Sequence, residues 1–201
     1  MAAVENFIPG GTVVGIACKD GVVLAAEKRF AYGRFVVSRH GKKTFKLTDT
    51  VGVAAAGMIG DMQTLIREIQ SLIKIKELES RTTLSARSIA KLMSVVLFQL
   101  RLTPLITQVL VGGVDGEPQV YVLDPLGSVI GDKYAAIGSG AEIAIGVLED
   151  EYRDNLDLEA AKRLAIKSIQ SAIQRDAASG DGIDIMVITK NSVKEETVSL
   201  H

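Results

Sequence analysis

Three residues, Lys19-Asp20-Gly21, separate two apolar, β-branched runs at 12–18 and 22–28. Parallel neighbours need a crossover of a dozen residues or more, so runs this close must pair antiparallel across a tight turn. The segments that follow extend the pattern. Residues 35–39 and 44–47 read as a second strand pair across a basic turn. "VGVAAAG" at 51–57 reads as a buried strand whose small side chains admit a close neighbour. The first third of the chain therefore predicts an antiparallel sheet, and parallel βαβ winding fits it poorly.

Helical periodicity takes over beyond residue 60. Asp61 is placed to cap a helix with Leu65, Ile66, Ile69, Leu72 and Ile73 on one face. A second helix follows with Ile89, Leu92, Met93, Val96, Leu97 and Leu100 inward, and Pro104 is expected to mark its end. The sequence then repeats in kind. "TQVLVGG", "QVYVLD" and "YAAIG" are strand-like, with Asp124-Pro125 opening a turn. Residues 141–153 and 158–175 are helical, the latter capped by Asp157, and "IDIMVIT" at 183–189 is a strand. Strands, two helices, strands, two helices, strand predicts an α+β fold. Two antiparallel sheets lie face to face with helices on both outer faces, a four-layer α-β-β-α sandwich.

Composition narrows the functional classes. The 201 residues are 47% hydrophobic, enough for one domain with a sizeable core, and no Pro- or Ser-rich linker points to a second. With 23 basic and 24 acidic side chains, net charge gives no reason to expect nucleic acid or an anionic membrane as partner. The single cysteine excludes an internal disulfide and a cysteine-based zinc cluster. The N-terminus shows no secretion signal and no apolar run reaches membrane-span length, so a soluble cytoplasmic protein is expected.

Individual motifs are weak. His40 and His201, the only histidines, have no metal-ligand spacing around them, so no metal is expected, nor a Ser-His-Asp triad. No cofactor is expected either. Cys18 reads as a small core residue in its strand. "GSG" (138–140) and "SGDG" (179–182) lack both the phosphate-loop ending and the dinucleotide fingerprint; they turn the chain, or offer donors to a cleft. Glu27, Lys28 and Arg29 end an apolar strand, and Lys42-Lys43 follows a second hairpin. Local sequence alone makes the 27–29 cluster a surface ion pair.

Taken together, "TVVGIACKDGVVLAAEKR", "GKKTFKL", "AAAGMIGDMQTL", "VGGVDGEPQVYVLDPLG", "AIGSGAEIAIGVLED" and "RDAASGDGID" closely resemble the archaeal-type 20S proteasome β subunits. The blocks span 12–184 at consistent spacing. The resemblance implies the N-terminal-nucleophile hydrolase fold and a threonine peptidase lineage. It implies that Lys43 stands beside the nucleophile, that Glu27 supports it, and that Ser139, Asp176 and Ser179 form the surrounding hydrogen-bond network. Gly57 corresponds to the oxyanion donor, and Phe30, Gly41, Ala55, Ile59 and Gln63 to the specificity-pocket wall. It also implies stacked seven-membered rings of α and β subunits, twenty-eight in all, that degrade unfolded polypeptides delivered by an ATP-dependent regulatory particle.

One position departs from the pattern. The family's N-terminal threonine corresponds to Gly11, so residues 1–10 correspond to the leader and 11–201 to the subunit domain. Active members attack with the threonine hydroxyl and use the freed α-amine as base, its reference pKa of about 8 being far nearer neutrality than lysine's ~10.4. Gly11 has no hydroxyl, so both self-cleavage and peptide hydrolysis are expected to fail, with the leader retained. Thr12 would stand about 3.3 Å further along the strand with its side chain on the opposite face. Two origins fit: a natural noncatalytic or assembly subunit, or a glycine introduced in the laboratory into an active endopeptidase. A small-molecule amidase of the same fold is a third class, against which the long matching blocks argue.

Overall fold

A computed structural model describes residues 10–199; the leader-like segment before Gly10, and His201, lie outside the described residues. The chain opens with β1 (Val13–Cys18) and β2 (Gly21–Glu27), paired antiparallel from Val13↔Ala26 to Cys18↔Gly21. Next come β3 (Phe30–Tyr32), β4 (Phe35–Ser38), β5 (Thr44–Lys46) and β6 (Val51–Gly57). Helices α1 (Ile59–Ser80) and α2 (Ala86–Gln99) follow. Then β7 (Thr107–Asp115), β8 (Glu117–Leu123), β9 (Val129–Asp132) and β10 (Tyr134–Ile137) lead to α3 (Ala141–Glu151) and α4 (Leu158–Ile173). The described chain ends in β11 (Ile183–Thr189) and β12 (Ser192–Val198).

These elements build the expected four layers. One sheet has the order β10-β1-β2-β11-β12, the other β5-β6-β7-β8-β9, and every pairing is antiparallel. The sheets meet through Val13, Leu24, Ala54, Leu110, Val120, Met186 and their neighbours. Period-two alternation sends the other face of each strand outward to a helical layer. Val53, Val109 and Val111 pack on Leu65, Ile69, Ile89 and Met93 of α1 and α2. Val14, Ile16 and Ile185 pack on Leu148 of α3 and Leu164 and Ile169 of α4.

Four local expectations are corrected. Residues 35–39 and 44–47 do not pair with each other. Gly33, at φ +55°, closes a tighter hairpin of β3 with β4, while Thr44–Lys46 joins β6. The segment between them is drawn inward, with the Gly41 amide donating to the Lys28 carbonyl at 2.8 Å. Asp61 lies inside the first turn of α1, whose N-cap is Met58; its carboxylate instead accepts from the Ile106 amide at 2.7 Å. Helix α2 stops at Gln99, well before Pro104, because the Leu100 amide already folds back onto the last turn. Finally, Glu27 and Lys28 do not form a surface ion pair: Lys28 binds Asp184 and Glu27 is buried. Asp157 caps α4 as expected, its carboxylate accepting from the Ala160 amide at 2.7 Å.

Candidate active site

The end of β2, the loop before β5 and the turn between α4 and β11 converge on Gly11. Glu27 and Lys43 are both completely buried and in direct contact as an ion pair. Such burial is tolerable only when the charges are paired and their remaining hydrogen-bonding capacity is filled. Here it is. The Lys43 ammonium also donates to the Arg29 carbonyl at 2.7 Å and lies 4.9 Å from the Phe30 ring centre. Glu27 Oε2 accepts from the amides of Arg29 (2.7 Å) and Gly180 (3.0 Å), and Oε1 from Thr12 (3.2 Å). Burial pushes the Lys43 pKa below the ordinary lysine value, against the opposing pull of Glu27.

Gly11 faces this pair. A Cβ on residue 11 would stand 2.7 Å from Lys43 Nζ and 2.9 Å from Glu27 Oε1. Its φ of +139° is one that side-chain-bearing residues rarely adopt, so glycine fits here without strain. The Gly11 amide donates to Ser139 Oγ at 2.9 Å, and Ser139 donates to Asp176 Oδ2 at 2.6 Å. Ser179 donates to the same Asp176 oxygen at 2.7 Å, and its Oγ is 2.7 Å from the Thr12 hydroxyl. The Thr12 side chain is thus fully buried and engaged away from Lys43, as the alternation along the strand predicts.

Beside residue 11 lies a hollow of about 270 Å³ between Ala56, Gly57, Ile106, Thr107 and Gln108 on one side and Pro125, Gly138 and Ser139 on the other. Gly57, at φ +144°, sits so close to the Ile106 carbonyl that no Cβ would fit. None of Phe30, Gly41, Ala55, Ile59 and Gln63 lines this hollow. The Phe30 ring rests on Gly41, and Phe30, Ala55 and Ile59 share the apolar cluster beneath α1. Gln63, one helical turn beyond Ile59, is exposed. His40 is exposed, and Cys18 is buried, its thiol donating to the Gly21 carbonyl.

Sequence reasoning missed the clamp behind the site. Arg29 donates through Nε to Asp181 Oδ2 at 2.7 Å and through Nη1 to the Ala177 carbonyl at 3.0 Å, tying β2 to the turn that carries Asp176 and Ser179. The one available signal was the acid inside "SGDG". Arg29 holds the Asp181 carboxyl below its ordinary pKa. Asp181 sits at φ +71°, a conformation Asn also tolerates, so Asp181→Asn keeps the backbone and removes the charge. That substitution is expected to cost about 1–2 kcal/mol near neutral pH. Because the native pKa is depressed, the native advantage is complete above the unfolded value of about 3.9 and fades as pH falls through the folded one. Denaturant titrations of both chains at neutral pH and at pH 3 measure this; a gap as wide in acid would contradict it.

No helix among the described residues is long and apolar enough to cross a membrane. Residues 9–188 match the family model described as "Proteasome subunit". The chain is 47% identical over 188 residues to proteasome subunit beta 1 of Cenarchaeum symbiosum, covering 94% of this chain and 97% of that one. It is 50% identical over 197 residues to proteasome subunit beta 2 of Pyrobaculum arsenaticum (98% and 97%) and 47% identical over 195 to proteasome subunit beta 1 of Ignicoccus hospitalis (96% and 98%). This chain belongs to the proteasome subunit family, among the archaeal-type 20S β subunits with the N-terminal-nucleophile hydrolase fold.

Proposed function

We propose that this chain is a catalytically silent β subunit of the proteasome core particle, contributing to protein degradation as part of the assembled machine. The observation that carries this reading is the glycine at residue 11, facing a fully formed Lys43–Glu27 pair with no hydroxyl to activate. In this reading residue 11 is the nucleophile position. Lys43 would tune a hydroxyl there, and Glu27 would hold Lys43. Ser139, Asp176 and Ser179 would orient the residue 11 nitrogen, and Gly57 would donate to the oxyanion of a tetrahedral intermediate. Phe30, Ala55 and Ile59, packed beneath α1, would back the wall against which the substrate side chain before the cut rests, with Gly41 under the Phe30 ring and Gln63 at the exposed rim, favouring a hydrophobic side chain.

The same residue removes two functions. Without a hydroxyl the bond between Gly10 and Gly11 has no internal attacker, so the residue 11 nitrogen stays an amide. An amide is no general base, so the leader and the silence belong together. Partners in this reading are proteasome α subunits and other β subunits in stacked seven-membered rings, with an ATP-dependent regulatory particle feeding unfolded polypeptide through the α ring.

The test is the intact mass of the purified chain, alongside fluorogenic peptide hydrolysis by particles whose only β chain is this one. The expected outcome is a mass that includes residues 1–10 and no turnover above background. A mass beginning at Gly11, or a covalent acyl adduct there, would overturn the reading.

A further inference from the structure

Between β2, which ends at Glu27, and β3, which begins at Phe30, the chain leaves the strand ladders for Lys28 and Arg29. The Arg29 backbone is bonded instead to the two charged side chains of the site. Its amide donates to Glu27 Oε2 at 2.7 Å, and its carbonyl accepts from Lys43 Nζ at 2.7 Å. That carbonyl and Glu27 are the two acceptors of the buried ammonium. No ladder fixes the Arg29 carbonyl, so the aim of Lys43 depends on whatever holds Arg29 in place.

Its side chain supplies the anchor. The guanidinium forks onto Asp181, Nε donating to Oδ2 at 2.7 Å and Nη2 to Oδ1 at 3.4 Å, while Nη1 reaches the Ala177 carbonyl at 3.0 Å. It lies so close to Gly180 that a Cβ there would collide with it. The Gly180 amide donates to the same Glu27 oxygen as the Arg29 amide. The side chain of Asp181 is only 12% exposed. The other cations acting on it are Arg39, at 3.8 Å, and His40, both of which are exposed.

We propose that Arg29 and Asp181 are positioning residues: the fork on Asp181 fixes the Arg29 carbonyl, and that carbonyl aims the Lys43 ammonium at residue 11. The inference rests on the reading of residue 11 as the nucleophile position. Asp181 has a second effect, because it neutralises the guanidinium. Glu27 and Asp176 favour the proton on Lys43, whereas the Arg29 charge disfavours it. Losing the Asp181 carboxylate would loosen an acceptor of the ammonium and bare the Arg29 charge. Both changes disfavour the protonated lysine, so they act with one sign.

The experiment has two arms. In the full native chain, NMR of isotope-labelled lysine follows the titration of Lys43, whose ammonium is the only fully buried one among the described residues and is recognised by its slow proton exchange. Asp181→Asn is expected to move that titration to lower pH; an unmoved titration would overturn the inference. The second arm uses Gly11→Thr in assembled particles and reads fluorogenic peptide hydrolysis. Adding Asp181→Asn is expected to lower kcat about ten- to a hundredfold and to leave KM within about twofold, because the clamp lies behind the site. Adding Arg29→Lys, which keeps the charge but gives up the fork, is expected to do the same. An Arg29→Lys chain as active as its parent, or a loss confined to KM, would overturn the inference alone. A Gly11→Thr chain that hydrolyses nothing would overturn the reading of residue 11, and the titration in the native chain, which needs no hydrolysis, still judges the clamp.

Discussion

Gly11→Thr is expected to release residues 1–10 and to raise peptide hydrolysis by several orders of magnitude. The geometry supplies three reasons. A Cβ at residue 11 would stand 2.7 Å from Lys43 Nζ, closer than a Cβ comes to a neighbour, so the end of the lysine must give way and the new hydroxyl would arise beside a buried amine whose pKa burial has already lowered. The backbone there, at φ +139°, suits glycine; a β-branched residue held at that angle stores on the order of 1–3 kcal/mol of strain. That φ is defined across the bond between residues 10 and 11, so breaking this bond abolishes the constraint and releases the strain. The amine set free would remain within reach of Ser139, itself anchored on Asp176. An α-amine with a pKa of about 8 is then available as base.

Nucleophile deletions in a well-studied triad protease cost about 10⁶-fold in kcat, which sets the scale of the gain. Gly11→Ala is the matched control, with the same added Cβ and backbone penalty but no hydroxyl. It is expected to keep its full mass, stay inactive and melt below the native chain. Intact mass and fluorogenic peptide turnover on assembled particles separate the outcomes. A threonine variant that keeps residues 1–10 and hydrolyses nothing would show that residue 11 is not the nucleophile position.

The layers of this fold were legible because each is written in a strong periodicity. The hairpin at Lys19-Asp20-Gly21 forced antiparallel pairing, and the 3.6-residue spacing of Leu65, Ile66, Ile69 and Ile73 forced a helix over β6. What stayed hidden depended on contacts far apart in sequence. The edge strand β12 carries Lys194, Glu195 and Glu196 and no apolar alternation, because its outer edge faces solvent. The partner of Thr44–Lys46 was misassigned because the basic residues at 39–43 looked like a turn. One of them, Lys43, instead plunges into the interior to meet Glu27. Nothing local to "GKK" tells the buried lysine from its exposed neighbour Lys42, which pairs with Glu195 at the surface. At the site, family resemblance gathered Gly11, Glu27, Lys43, Ser139, Asp176 and Ser179, and the structure brings these six together. The Arg29–Asp181 clamp carried no such signal, since a single acid in a glycine-rich turn is ordinary.

Lys43→Met is expected to destabilise the chain by about 3–5 kcal/mol at neutral pH, whether or not the chain is active. A buried pair kept only for chemistry would be expendable in a chain with no hydroxyl at residue 11. Glu27, however, gathers the amides of Thr12, Arg29 and Gly180, and so joins the start of β1, the end of β2 and the turn before β11. Removing the ammonium leaves the Glu27 carboxyl fully buried and without its ion-pair partner. Those three amides temper the loss but supply no net charge. Glu27→Gln in the Lys43→Met background deletes the stranded carboxyl and keeps one acceptor, so the double variant is expected to recover part of the loss. The contribution of Lys43 to stability should also grow as pH rises into the alkaline range, against the opposite slope of Lys133 and Lys162, whose folded pKa values are raised. Burial lowers the folded pKa of Lys43 below the unfolded value of about 10.4, so between the two the unfolded chain binds the extra proton. Lys43→Met should flatten that climb. Denaturant unfolding of the native chain, the single and the double variant, across neutral to alkaline pH, reads both effects. A Lys43→Met chain as stable as the native one would mean that the pair serves chemistry alone, and an uncorrected loss in the double variant would mean that lost packing, not the stranded carboxyl, is the cause.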